Sequence, residues 1–402
     1  MTIFTFGYFC HMETRYLTKF LTDDLEKKMV FLGGPRQVGK TTLARTIAEN
    51  ETTHAYMNWD SPQHRLKITR QQWPPGTTCL VFDEIHKYDQ WKNLIKGIWD
   101  TRTNQEKIIV TGSSKLNIFR TSGDSLLGRY HYHILHPFSL KELVGDLLTD
   151  MEMPAHCHTL VFPEKSEDVK DLFKFGGFPE PLLEGEERTL LRWQNERFER
   201  IFREDIRDAE KVRFLSQVEL LGALIPDRVA SPLSLASLSQ DVQTSPKTII
   251  NWMDLLCRNY YCFRVMPFHS RLERAIKKES KYYLWDWSQV ENKGPRFENM
   301  VASHLLKFCD FYYYVYGLKI ELRYLRDREG REVDFLVTWN KIPWFMVECK
   351  FKPSSHRPLS YFGDRLNIKQ RFMVTMDEQQ HYLDKKNNMH VIPASKFLMA
   401  LI

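Results

Sequence analysis

Gly34-Pro35-Arg36-Gln37-Val38-Gly39-Lys40-Thr41 follows the apolar run Met29, Val30, Phe31, Leu32 and precedes a helical pattern over residues 42–48. The spacing is G-x-x-x-x-G-K-[ST], and it stands where that motif must stand, after a strand and before a helix. Its glycines let backbone N–H groups turn inward around phosphate oxygens, and the helix N-terminus adds a favourable dipole. Lys40 is expected to reach the β- and γ-phosphates of ATP, and the Thr41 hydroxyl to bind Mg²⁺. Gly34 through Thr41, with Thr42 opening the helix, are therefore the expected nucleotide-binding residues.

Working outward, the first third of the chain alternates short apolar runs with helical patterns. Residues 29–32, 54–58, 78–82, 107–110 and 131–135 are strand candidates, which predicts an α/β domain around a parallel sheet. The run 78–82 ends in Asp83 and Glu84. Asp83 at the end of a buried strand is expected to hold Mg²⁺ through water, and Glu84 to polarise the attacking water as general base. The run 107–110 leads into Thr111, Gly112, Ser113 and Ser114. A serine hydroxyl there either holds the attacking water or contacts the γ-phosphate, or it simply caps a helix. Arg129, after Ser125-Leu126-Leu127-Gly128, is an expected arginine finger at a subunit interface, hence an expected homo-oligomer.

Composition narrows the class. The 402 residues are 43% hydrophobic and 27% charged, ordinary for a packed protein and too apolar for a disordered one. No stretch reaches the roughly 18 apolar residues of a bilayer span, so no membrane partner is expected. Residues 3–10 are apolar but short, without a basic segment before them, which argues against a secretory signal. Seven cysteines without Cys-x-x-Cys pairs read as reduced thiols, and the expected location is cytoplasmic. A net charge of +6 is only a mild pointer to an acidic partner such as DNA.

The segment from Arg15 to about Pro181 resembles the large prokaryotic family of predicted AAA-superfamily ATPases. The resemblance rests on the phosphate loop, on Phe82-Asp83-Glu84-Ile85-His86, on Thr111-Gly112-Ser113-Ser114 and on Leu127-Gly128-Arg129. Pro137-Phe138-Ser139-Leu140-Lys141-Glu142 and Gly176-Gly177-Phe178-Pro179-Glu180 complete it. It implies a phosphate loop, a Mg²⁺-and-base strand, a sensor strand and a lid element.

Two helical patterns, 233–239 and 245–253, are joined by a polar turn. Ser245 is a natural N-cap with Pro246 at the first helical position, which puts Lys247 and Thr248 where a recognition helix touches DNA. Residues 260–267 would supply a wing, and family members carry a similar winged-helix segment. The alternative is a three-helix packing unit with no DNA contact.

Towards the C-terminus, the strand-like runs 331–337 and 344–350 carry Asp334, Glu348 and Lys350. Alternation along a strand puts Glu348 and Lys350 on one face, where Asp334 can meet them from the neighbouring strand. A buried Asp334 needs compensation, which a Mg²⁺ or Mn²⁺ shared with Glu348 would supply, while Lys350 stabilises a pentacovalent phosphate. The alternative is a Glu348–Lys350 ion pair propping the sheet. The Asp…Glu-x-Lys pattern resembles the restriction-endonuclease-like superfamily. That resemblance implies Glu298, in Arg296-Phe297-Glu298-Asn299, as a further ligand from a helix.

The expected organisation is a P-loop AAA-type ATPase core over 1–165, a helical lid over 166–225 and a winged-helix segment over 226–270. A connector over 271–289 and an α/β endonuclease-like domain over 290–402 complete it. The expected function is an ATP-hydrolysing, DNA-acting protein with a metal-dependent C-terminal nuclease site. The rival is an ATP-dependent switch or remodeller whose C-terminal domain only binds a partner.

Overall fold

The computed structural model describes residues 15–103, 106–112, 126–145, 159–164, 167–206, 214–268, 279–352 and 357–402. The chain divides into two compact units, Met1–Pro137 and Phe138–Ile402.

The first unit is built on β1 (Met29–Gly33), β2 (His54–Asn58), β3 (Cys79–Asp83), β4 (Lys107–Thr111) and β5 (Tyr130–Ile134). Each strand lies within one residue of its predicted run. All pairings are parallel, in the order β2-β3-β4-β1-β5. β1 and β3 are buried along their whole length, because helices cover both faces of such a sheet and leave no solvent side. Helix Lys40–Glu49 turns Leu43, Ala44, Ile47 and Ala48 inward, at the spacing of one helical face. The parallel arrangement gathers the C-terminal ends of β1, β3 and β4 at one edge, where the phosphate loop, Asp83 and Thr111 stand.

The second unit opens with short helices, among them Lys170–Phe175, Pro179–Glu184, Glu187–Arg200 and Leu215–Leu224. Helix Leu235–Asp241 is capped by Ser234, and helix Pro246–Arg258 by Ser245, whose hydroxyl accepts from the Thr248 N–H at 3.1 Å. That second helix buries Ile249, Trp252, Met253, Leu255 and Leu256 and leaves Lys247 exposed.

A mixed sheet of eight strands forms the rest. Its members are β6 (Cys262–Pro267), β7 (Lys281–Leu284), β8 (Ile320–Arg326), β9 (Glu332–Trp339), β10 (Ile342–Lys350), β11 (Gln370–Thr375), β12 (Tyr382–Asp384) and β13 (Met389–Pro393). The order is β12-β13-β11-β10-β9-β8-β6-β7. The long helix Lys293–Tyr316 packs on β7, β8, β9 and β10, with Phe308 against Trp344 and Phe345. Residues 281–284, expected within a connector, are a fully buried strand. The expected wing, β6, pairs antiparallel with β7 and, over Met266 and Pro267, parallel with β8. Among the described residues no helix is long and apolar enough to cross a membrane.

Candidate nucleotide site and C-terminal acidic cluster

The phosphate loop is fixed by sterics before any ligand is considered. Gly34 has φ +142°, and a Cβ there would lie 2.5 Å from the Leu135 carbonyl oxygen, so the chain leaving β5 closes that position to every other residue. Gly39 has φ +100° and sits as the N-cap of helix Lys40–Glu49, with no side chain capping it. The first N–H groups of that helix therefore face the loop, an anion-binding arrangement. Lys40 is buried, and its ammonium donates to the carbonyls of Gly34 (3.0 Å) and Pro35 (2.7 Å).

Asp83, at the end of β3, is the hub of the site. One of its carboxylate oxygens accepts from the hydroxyls of Thr41 (2.9 Å) and Tyr56 (2.7 Å) and from the Asn58 amide (3.4 Å). The other accepts from the Thr111 hydroxyl at the end of β4. Burial and the hydrogen bond to Asp83 push the Tyr56 phenol up to about 12, so it stays a donor at neutral pH. A hydroxyl and a carboxylate in direct contact beside the loop suit a hard cation, and Thr41 and Asp83 are the residues that would hold Mg²⁺.

Glu84 follows in a left-handed conformation, φ +55°, which turns its side chain away from the strand direction. Its carboxylate lies 3.8 Å from His86 Nε2 and 3.7 Å from Lys87 Nζ. Burial lowers the His86 pKa, with Lys87, Lys40 and Arg36 adding to that against Glu84. Ser113 and Ser114 lie outside the described residues.

Tyr56, Asn58 and Arg15 were not singled out from sequence, and Thr111 only within the Thr111–Ser114 motif. Arg15 is buried and donates to Val38 O (2.9 Å) and His136 O (2.7 Å), tying the phosphate loop to the chain leaving β5. Tyr56 and Asn58 carried a signal, two polar residues in alternate positions where a strand ends; Arg15 carried none.

Arg129 precedes β5, its carbonyl accepting from the Met29 N–H at 3.0 Å. It therefore marks the sheet edge opposite its own phosphate loop, roughly 15 Å away at about 3.3 Å per strand residue. Its guanidinium grips Asp100 through Nε (2.8 Å) and Nη2 (3.2 Å).

In the second unit the expected residues do converge. β9 and β10 run antiparallel, with Phe335 opposite Val347, which sets Asp334 beside Glu348. The Asp334 N–H donates to Glu348 Oε2 (3.3 Å), and the Cys349 N–H donates to Asp334 Oδ2 (2.9 Å). Glu298 reaches in from its helix, and the Tyr283 hydroxyl donates to it at 2.7 Å.

Side-chain cations stand among these carboxylates. Lys281, absent from the sequence-based site, puts its ammonium 2.7 Å from Glu332, 3.0 Å from Glu298 and 3.6 Å from Asp334. Lys350 pairs with Glu348 at 2.8 Å, and Arg326 with Glu332 at 2.7 Å. Among the described residues no group of three or more His, Cys, Asp or Glu side chains is disposed to hold a metal ion. Lys281 thus stands beside Glu298 and Asp334, and Lys350 beside Glu348. Burial raises the Asp334 carboxyl well above its ordinary range, Glu298 and Glu348 adding to it. Burial also raises Glu298, against the pull of Lys281.

Comparison with known proteins matches residues 26–144 to an AAA domain. Residues 166–290 match one domain of unknown function, DUF8612, and residues 293–397 another, DUF4143. An uncharacterized protein of Methanocaldococcus jannaschii is 26% identical over 356 residues, 81% of this chain and 77% of its own length. An uncharacterized protein of Haemophilus influenzae is 22% identical over 357 residues, 81% of both chains. Among solved structures, a Walker-type ATPase of Pyrococcus abyssi gives a TM-score of 0.40 at 15% identity, over 68% of this chain and 93% of its own. DnaA from Aquifex aeolicus gives 0.30 at 13% identity, over 59% of this chain and 84% of its own. The residues matched to the AAA domain include the phosphate loop, Thr41 and Asp83.

Proposed function

We propose that this protein is an ATP-hydrolysing switch whose second unit engages a partner. One observation carries the reading. Thr41, on the helix that begins at the phosphate loop, is hydrogen-bonded at 2.9 Å to Asp83 at the end of the strand that leads into Glu84. The loop N–H groups and Lys40 bind the phosphates; Thr41 and Asp83 hold the cation. Bound by Thr41 and Asp83, Mg²⁺ would supply positive charge against that developing on the phosphates. Glu84 takes the proton of the attacking water, and Thr111 and Tyr56 hold Asp83 in place. The test is ATP binding and turnover, measured separately: Glu84→Gln is expected to retain ATP and stop hydrolysis, and Asp83→Asn to lose Mg²⁺-dependent turnover. A Glu84→Gln variant that turns over ATP at the parent rate removes Glu84 from the base role.

A second reading makes the protein act on DNA, with a metal-dependent endonuclease-like site in the second unit. It is favoured by the convergence of Glu298, Asp334 and Glu348 with Lys350, whose side chain is 38% exposed. The exposed Lys247 at the start of helix Pro246–Arg258 offers a phosphate contact. The ion pairing at that cluster favours the partner-binding reading instead. Cleavage of single-stranded and duplex DNA in Mg²⁺ or Mn²⁺, with and without ATP, decides: activity abolished by Asp334→Ala establishes the second reading.

A further inference from the structure

We infer that Lys281 is the resident cation of the C-terminal acidic cluster, a tethered ammonium standing where the residue pattern calls for a divalent metal. The inference is independent of the ATP-hydrolysis reading.

Three carboxylates surround Lys281 Nζ, and the side chain is fully buried. A lysine is carried into such a place only if counter-charges compensate its lost hydration. Burial works to lower its pKa, but Glu298, Asp334 and Glu332 together outweigh that and hold it above its ordinary value. The Tyr324 ring, 5.5 Å from Nζ, adds a further favourable contact for a cation.

The ammonium is also held from behind. β7 pairs with β6 from Lys281 to Leu284, Ser280 O accepts from the Leu233 N–H at 2.9 Å, and Lys281 bridges Pro232. Lys281 and Tyr283 are two residues apart on this strand, so they share a face, and both donate to Glu298. A dication sharing these oxygens would sit within ion-pair distance of the ammonium, where like charges repel strongly because water is excluded. The cluster binds one cation at a time, and the chain supplies it.

The experiment uses the nucleotide-free full chain and measures Mn²⁺ binding by electron paramagnetic resonance. Asp334→Asn reports this cluster and leaves the phosphate loop intact. Wild type and Asp334→Asn are expected to bind Mn²⁺ indistinguishably. Lys281→Met is expected to gain a Mn²⁺ site, roughly 10-fold or more tighter than any wild-type binding at the cluster, since the competing charge is gone. Lys281→Met with Asp334→Asn is expected to lose that site again. The melting temperature of Lys281→Met should fall without metal and recover in Mn²⁺. A wild-type Mn²⁺ site that Asp334→Asn abolishes overturns the inference and favours the metal-dependent DNA reading. A folded Lys281→Met with no gain in Mn²⁺ also overturns it. Should Lys281→Met fail to fold, the comparison of wild type with Asp334→Asn decides alone.

Discussion

Lys40 and Glu84 stand within one site but act on different steps, and their variants should separate. Lys40 brings the mobile cation to the phosphates, so Lys40→Ala is expected to lose ATP binding, measured by titration with a fluorescent nucleotide. Glu84→Gln keeps shape and loses the base, so binding persists while turnover falls roughly 10²–10⁴-fold, the range of general-base contributions. His86 gives a pH signature. Its pKa is depressed in the folded chain, by burial first, so below about 6.5 the unfolded chain binds a proton that the folded chain resists. Stability from this group is full above that pH and declines as pH falls towards the depressed value. His86→Gln should flatten the decline of the melting temperature between pH 7 and pH 5; an unchanged profile would assign the acid sensitivity elsewhere. Gly34 is the steric test. In Gly34→Ala the new Cβ meets the Leu135 carbonyl at 2.5 Å, and backbone does not yield as a side chain does, so nucleotide binding should be lost.

At the scale of the element, β1, β3 and β4 were legible because each is an apolar run closed by turn or polar residues, whereas the edge strands β2 and β5 mix polar and aromatic residues. Such runs can be buried only in a parallel sheet covered on both faces. β7 was not legible. It begins with a lysine after a basic, polar stretch, and hydropathy gives no reason to bury it. The reason lies 17 residues on at Glu298, and further on at Glu332 and Asp334, distances a sequence reading does not span. The acidic cluster was half legible for the same cause: its carboxylates follow strand alternation, but the cation that neutralises them comes from another strand. Residues 137–142 show the same limit. Ser139 and Glu142 form a capping box, a local pattern, yet Lys307 on the long helix donates to both. The Glu142 and Lys307 side chains are each 2% exposed, so removing one takes the counter-charge from a buried ion. Lys307→Met should cost about 3–5 kcal/mol, and pairing it with Glu142→Leu should recover much of that, read from urea unfolding midpoints. Equal destabilisation of the single and double variants would show that the pair's charges do not matter there.

For the whole molecule, the parallel sheet of the first unit sets a geometric condition on catalysis. The phosphate loop, Asp83 and Glu84 gather at the C-terminal ends of their strands, whereas Arg129 stands at the N-terminal end of β5. In a chain acting alone Arg129 pairs with Asp100, far from its own phosphate loop. A second copy that presents this edge to the phosphate loop would bring a guanidinium to the γ-phosphate, a contribution of roughly 10³–10⁵ in rate where it operates. The Asp100 pair separates the two roles. If Arg129 serves a neighbour, Arg129→Ala should cut turnover with ATP affinity nearly unchanged. Asp100→Ala, which removes that ion pair and keeps the guanidinium, should then leave turnover at or above the parent level. If the pair itself is what matters, both variants should fall alike. Mixing settles the direction of the contact. Arg129→Ala retains a complete phosphate loop and Lys40→Ala retains the arginine, so a mixed assembly contains interfaces where an intact loop faces an intact Arg129. Turnover in the mixture should exceed the sum of the two variants measured alone, and should rise with protein concentration. A strictly monomeric protein with full turnover at every concentration would end the assignment, and Arg129 would be a surface cation held by Asp100.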